Sequence, residues 1–166
     1  MRYTFHNRVM NPLVTALLRS PLHPAISRTN ALVTYRGRRT GRALTLPIRY
    51  AEDEAGLWIH PARADRKTWW RSLEGGAAVT VRLRGREVPA RAEAIRGDEV
   101  RVAEGMWAYY RRFPALAKSM GLSWDPTSVE RAAASGVMVR IDIAAQIDTA
   151  AQLDPAHPAE PVGSAA

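Results

Sequence analysis

The sequence predicts a mainly β, α+β domain in which six or seven short, mostly antiparallel strands curl toward a barrel and helices flank them. Strand-like runs recur between residues 32 and 60 and again between 78 and 95, each bounded by glycine or charged turns. Apolar residues at helical spacing fall mainly before residue 20 and after residue 97, with one short helical stretch between. A chain of 166 residues, 46% of them hydrophobic, is the size of one domain with a core of its own.

Residues 7–19 place Val9, Met10, Leu13, Val14, Leu17 and Leu18 on one helical stripe, with Arg8 and Arg19 near the ends and Ser20-Pro21 as the stop. Such a stripe lies on a membrane surface or packs on a core, and packing is the commoner fate. Residues 23–29 read as a loop. Residues 32–35, 43–50 and 57–60 follow as a meander of strands, and Pro47, lacking an N–H, marks a sheet edge or a bulge.

Pro61 closes the third strand. Residues 67–73 form about two helical turns with Asp65 as N-cap. Trp69 and Leu73 share a face, whereas Trp70 lies about 100° around on the side of Lys67, so one of the two indoles anchors this helix in the core. Gly75-Gly76 ends it. A hairpin of residues 78–84 and 87–95 turns at Gly85, and Val79, Val81 and Leu83 alternate with Thr80, Arg82 and Arg84 to give it one buried face. Gly97-Asp98 opens a helix to about residue 113, Pro114 starts a further piece to residue 120, and residues 137–143 make the last strand. Residues 1–147 thus form one domain, and the Ala/Pro-rich residues 148–166 read as a disordered tail.

Composition removes several function classes. Without cysteine there is no thiolate nucleophile, disulfide framework or Cys-ligated metal. His6, His23, His60 and His157 are too dispersed for ligand spacing, so no metal site is expected. The chain carries no G-x-G-x-x-G after a strand and no Walker loop, so a Rossmann or NTPase reading has no support, and it has no G-x-S-x-G. No apolar run is long enough to span a bilayer and no secretory block opens the chain, which reads as a cytosolic protein.

The formal net charge of +8 favours anionic partners. It is concentrated in residues 35–50, Y-R-G-R-R-T-G-R-A-L-T-L-P-I-R-Y, where Arg36, Arg38, Arg39 and Arg42 crowd a loop bracketed by Gly37 and Gly41. Guanidinium forks suit phosphate or carboxylate, and glycines at positive φ let backbone N–H groups converge on an oxyanion. The bland alternative is a solvated hairpin. Nucleic acid is not expected as a partner, because beyond Tyr35 no aromatic side chain is interleaved with these arginines.

That loop, Pro47 followed by Tyr50, K-T-W-W-R-S-L at 67–73, V-T-V-R-L at 79–83 and R-G-R at 84–86 together resemble the deazaflavin (F420)-dependent nitroreductase family. This family is a branch of the split β-barrel flavin and deazaflavin oxidoreductases. The resemblance implies a split β-barrel in which reduced coenzyme F420, a deazaflavin with a phosphate and a polyglutamate tail, gives a hydride to a small quinone-like, enone or nitro acceptor. The protein's share is anchoring, alignment and exclusion of water. A carrier of FMN, haem or a fatty acid without turnover is the alternative, with FMN the alternative cofactor. Since many split barrels pair through sheet faces, a homodimer is expected.

Carried over by position, Arg38, Arg39 and Thr40 are implied to meet the cofactor's anionic part, and Leu44, Thr45, Leu46 and Pro47 to run beside it. Pro61, Ala62 and Arg63 are implied to face the deazaflavin ring, while Lys67, Trp69, Trp70 and Ser72 belong to the segment that closes the site. Arg49, Trp107, Tyr110 and Phe113 are the substrate-pocket candidates, with a helix packed on the barrel the equal alternative for the three aromatic residues. Leu46 stands where some members have a polar residue and Arg49 where some have an aromatic. Leu116 and Ser119 stand where nitroimidazole-reducing members carry tyrosines, so the resemblance does not extend to nitroimidazole reduction.

Overall fold

The computed structural model describes residues 11–123 and 125–143; residues 7–10 of the expected first helix and the expected tail at 148–166 lie outside them. Helix α1 (Asn11–Arg19) leads through a short 3-10 turn at His23–Ala25 to strands β1 (Asn30–Arg36), β2 (Ala43–Arg49), β3 (Ala51–Asp53) and β4 (Gly56–Ile59). A 3-10 helix (Trp69–Leu73) precedes β5 (Ala77–Leu83) and β6 (Arg86–Arg96). Helices α2 (Glu99–Arg112), α3 (Pro114–Ser119) and α4 (Pro126–Ala133) then lead to β7 (Val137–Asp142).

All strand pairs are antiparallel, in one sheet ordered β2-β1-β5-β6-β7-β4-β3. The two edge strands, β2 and β3, are joined by Tyr50 alone, so the sheet must curl until its edges meet, which is the split barrel. Tyr50 is buried at this joint, its hydroxyl donating to the Ser27 carbonyl at 2.9 Å and its N–H to Thr29 O at 3.0 Å.

The curl gives the sheet two cores. Leu57, Ile59, Val137, Val139 and Ile141 point into the barrel with Val33, Tyr35, Val81, Trp70 and Leu73. Trp58, Ile95 and Met138 point outward onto Val102, Met106, Tyr109 and Tyr110 of α2 and Val129 of α4. Strands β4 and β7 are therefore buried on both faces, so β4 reads as a continuous apolar run and β7 as one interrupted by the buried Arg140. At their crossing a Cβ on Gly56 (φ 155°) would come within 2.1 Å of the Ile141 carbonyl oxygen, so only glycine fits.

Pro47 sits on an edge strand as expected, within an unbulged register opposite Leu32. The bonds Tyr50 N to Thr29 O and Gly37 N to Arg42 O fix which pairs exchange hydrogen bonds, and Leu32–Pro47 falls on the alternate, so the prolyl nitrogen faces the open edge. Helix α1 packs on β1 and β2 with Leu18 buried and Leu13 exposed. Among the described residues no helix is long and apolar enough to cross a membrane.

Three expectations need correcting. The stretch at 67–73 is not two α-helical turns capped by Asp65; it is a 3-10 helix starting at Trp69 after Thr68, and Asp65 instead lies 3.7 Å from Arg66. The strand expected to run through Tyr50 breaks there, and Ala51–Asp53 forms a separate strand. Helix α4 was not anticipated, although Asp125-Pro126 is a cap-and-start signal and the Asp125 carboxylate does accept from Ser128 N at 2.9 Å.

Candidate functional site

The β1–β2 loop lies against the 3-10 helix. Arg38 N–H donates to Ser72 Oγ at 3.2 Å, and Arg38 Nη1 to Glu74 Oε2 at 3.0 Å. Between loop and helix runs a groove of about 730 Å³, walled by Arg38, Arg39, Thr40 and Leu44 on one side and Thr68, Trp69, Arg71, Ser72 and Glu74 on the other. Tyr35 and Gly37 from the end of β1 and Arg96 from the end of β6 complete it.

Expected loop geometry is only partly realised. Gly41 has φ 65°, but Gly37 is not among the positive-φ residues. Nor do the loop's N–H groups converge on a common point. Those of Gly37, Thr40 and Gly41 are spent within the loop on carbonyls, Arg42 N–H reaches Thr40 Oγ1 at 3.4 Å, and Arg38 N–H is taken by Ser72. Arg39 N–H alone has no acceptor among the described residues. The donors the groove offers are therefore side chains: the guanidinium groups of Arg38, Arg39, Arg71 and Arg96, plus the Ser72 hydroxyl proton, since its oxygen already accepts. This donor set fits an extended polyanion better than a single enclosed oxyanion.

The two indoles divide as the spacing requires. Trp70 is 2% exposed, donates Nε1–H to the Ala64 carbonyl at 3.1 Å and plugs the inner core. Trp69 is half-buried, tilted against Tyr35 at 6.4 Å between ring centroids, and lines the groove. Trp70 is thus the core anchor and not a groove wall. Lys67 is half-buried and outside the groove's lining.

Along β2 the four implied residues split between faces. Leu44 and Leu46 lie on the inner side, Leu44 in the groove and Leu46 against the core, while the Thr45 hydroxyl meets that of Thr34 at 2.8 Å and Pro47 alternates with them. Beyond β4, Pro61 is buried, Ala62 and Arg63 are exposed, and Ala62 N–H turns back to His60 O at 2.9 Å. Arg63 has φ 58°, a left-handed conformation that costs a non-glycine residue of order 1–3 kcal/mol and clusters at functional turns.

At the same end of β4 the aromatic residues gather. The His60 ring lies 5.6 Å from Tyr110 and 6.1 Å from Tyr109, with Tyr110 Oη 3.0 Å from both His60 Nδ1 and Met120 Sδ. Phe113 packs on Tyr109 at 4.9 Å and carries the Arg49 guanidinium 5.5 Å and that of Arg112 5.9 Å from its centroid. Burial pushes Tyr109 up to about 12, against the opposing pull of Arg49, and raises Tyr110 also, so both phenols stay protonated. Burial lowers His60 to about 4, keeping the imidazole neutral. Arg49, Tyr110 and Phe113 are thus brought together. Trp107 packs against the same outer core as Tyr110 and Phe113 and also lines a shallow cleft with Glu104, Ala108 and Arg111.

Sequence reasoning missed Thr68, Arg71, Glu74 and Arg96 as groove residues. Arg71 and Glu74 flank Ser72 and were within reach of a closer reading, but nothing local marks Arg96, which only the sheet order carries to the loop.

No curated protein matches this chain. Solved structures of similar fold include a protein described as a domain-swapped dimer (TM-score 0.50, 14% identity, 79% of this chain and 94% of that one covered). Others are an F420-H2 dependent reductase, FDR-A (0.48, 14%, 68% and 94%), and the FAD and heme binding protein from Mycobacterium smegmatis (0.44, 19%, 81% and 66%). The model of the F420H(2)-dependent quinone reductase family matches residues 22–114, more than half of the chain. Since that span takes in the arginine loop, the 3-10 helix and the turn at Arg63, the chain belongs to the F420H(2)-dependent quinone reductase family and is an F420H2-dependent reductase whose cofactor is coenzyme F420.

Proposed function

We propose that the chain passes a hydride from reduced F420 to a small electrophilic acceptor of quinone, enone or nitro type, with the groove beside Arg38 and Arg39 holding the cofactor's anionic end. The observation that carries this is the donor set of that groove, four guanidinium groups and a free hydroxyl proton along one open channel. It suits a phosphate followed by successive carboxylates. When bound, the deazaflavin supplies a low-potential hydride.

Everything else is positioning. Arg38, Arg39 and Thr40 bind the anionic end and Trp69 and Leu44 shield the channel from water, while the Pro61–Ala62–Arg63 turn aims its backbone toward the ring. Phe113, framed by Arg49 and Arg112, offers a planar acceptor an aromatic face beside two cations, where negative charge arriving with the hydride is stabilised.

Fluorescence titration of F420 tests the assignment. Arg38→Ala combined with Arg39→Ala removes charge-assisted bonds of about 1.5–3 kcal/mol each, so affinity falls roughly a hundredfold or more, and added salt weakens the wild-type complex more steeply than the variant. A double variant that binds as tightly as the parent rules out this groove as the anion site.

A further inference from the structure

Arg38 already holds an anion, and that anion is the protein's own. Its Nη1 lies 3.0 Å from Glu74 Oε2, with the two side chains 70% and 37% exposed. An exposed pair of this kind does little for the fold. Loop and helix are in any case tied by the bond from Arg38 N–H to Ser72 Oγ, which does not involve the guanidinium. Among the described residues Glu74 is also the only acidic side chain in the wall of a groove otherwise set with Arg38, Arg39, Arg71 and Arg96. It therefore occupies Nη1, a donor that an incoming oxyanion would otherwise find free.

We propose that Glu74 is an exchangeable counter-anion: a phosphate or carboxylate of the cofactor replaces the Glu74 carboxylate on Arg38, and Glu74 moves out to solvent. The proposal rests on the groove being the anion site. Two carboxylate-type partners cannot both dock on one edge of Arg38, and an unreplaced Glu74 would leave like charges in contact. Glu74 thus sets the cofactor affinity below what the arginines alone would give. It also keeps Arg38 from resting against Arg39 or Arg71 when the groove holds no anion.

The test is a double-mutant cycle read by F420 fluorescence titration at low salt, with thermal melts to verify that each protein is folded. Glu74→Gln is expected to tighten binding about two- to fivefold in the parent protein, the range of an exposed ion pair, and to have little effect in the Arg38→Ala background. No tightening, a weakening, or equal tightening in both backgrounds overturns the exchange; the last outcome would mean that Glu74 acts by general repulsion and not by competing for Arg38. Failure of the underlying reading looks different: Arg38→Ala with Arg39→Ala would then leave F420 affinity unchanged, and the exchange would fall with it.

Discussion

Arg140 and Asp53 meet in two parallel hydrogen bonds, Nη1 to Oδ2 at 2.6 Å and Nη2 to Oδ1 at 2.9 Å, across 87 residues of sequence. Trp58 Nε1 donates to the same carboxylate at 2.8 Å, Asp142 accepts from Arg140 Nε at 3.0 Å, and the guanidinium stacks 4.8 Å from the Trp58 ring. The cluster clamps the β3–β4 hairpin to β7.

Burial alone would raise the Asp53 carboxyl, but its bonds to Arg140, Ala55 N and Trp58 outweigh burial and bring it from 3.8 to about 2. A carboxyl depressed on folding stabilises fully above its unfolded value and loses that contribution as pH falls through the folded one. Asp53→Asn is therefore expected to lose about 1 kcal/mol at neutral pH, since solvent screens a carboxylate that is 38% exposed below the full value of a charged hydrogen bond. In urea unfolding the gap between variant and parent should close as pH approaches about 2. A gap that stays constant with pH would mean that the charge is not the source of the stability.

His60 governs a different window. Because burial lowers it from 6.5 to about 4, the unfolded chain binds a proton that the folded one refuses between these values. Stability should accordingly fall by up to about 3 kcal/mol as pH drops from 6.5 through 4. His60→Gln should flatten the slope of unfolding free energy against pH in that window while leaving the Asp53 window intact.

The two adjacent indoles should separate stability from binding. Trp70→Ala opens a cavity in the inner core and is expected to destabilise by about 3–5 kcal/mol. Trp69→Ala, half-exposed along the groove, should cost about 1 kcal/mol of stability and weaken F420 binding instead. Melts and titrations on both variants decide the matter; equal losses of stability would contradict the division.

Acceptor choice is expected to follow the α3 segment. Leu116 is half-buried among the outer core residues, and the Ser119 hydroxyl is turned onto the Leu116 carbonyl at 2.8 Å, so neither offers a phenol to a nitro group. Steady-state rates with a quinone, an enone and a nitroimidazole should place the nitroimidazole last. Leu116→Tyr should narrow the difference.

Legibility followed the reach of each signal along the chain. The β5–β6 hairpin was plain because Val79 and Val81 alternate with polar neighbours and do face the core. β3 was not, because Ala51-Glu52-Asp53 is three residues with two charges and becomes a strand only by pairing with β4. The two-turn helix failed because Arg66 and Lys67 N–H are both spent on the Arg63 carbonyl, in a turn set by a left-handed Arg63 that the sequence does not announce. At the site, Arg38 and Arg39 announced themselves as a charge cluster, whereas Glu74 as the partner of Arg38 required knowing that Ser72 meets the loop.

The position of β7 has a consequence for how the chain is made. It is the last described strand, yet it lies between β6 and β4, and the second edge of β4, from Gly56 to Ile59, finds its partner only in β7. On a ribosome adding about 5–20 residues per second, the β3–β4 hairpin is translated on the order of ten seconds before the strand that will hold it. Through that interval Leu57, Trp58 and Ile59, all destined for burial, stay exposed on an unpaired edge. Nascent chains stalled before residue 137 should therefore bind a holdase chaperone through the segment around Trp58, and release it once β7 emerges.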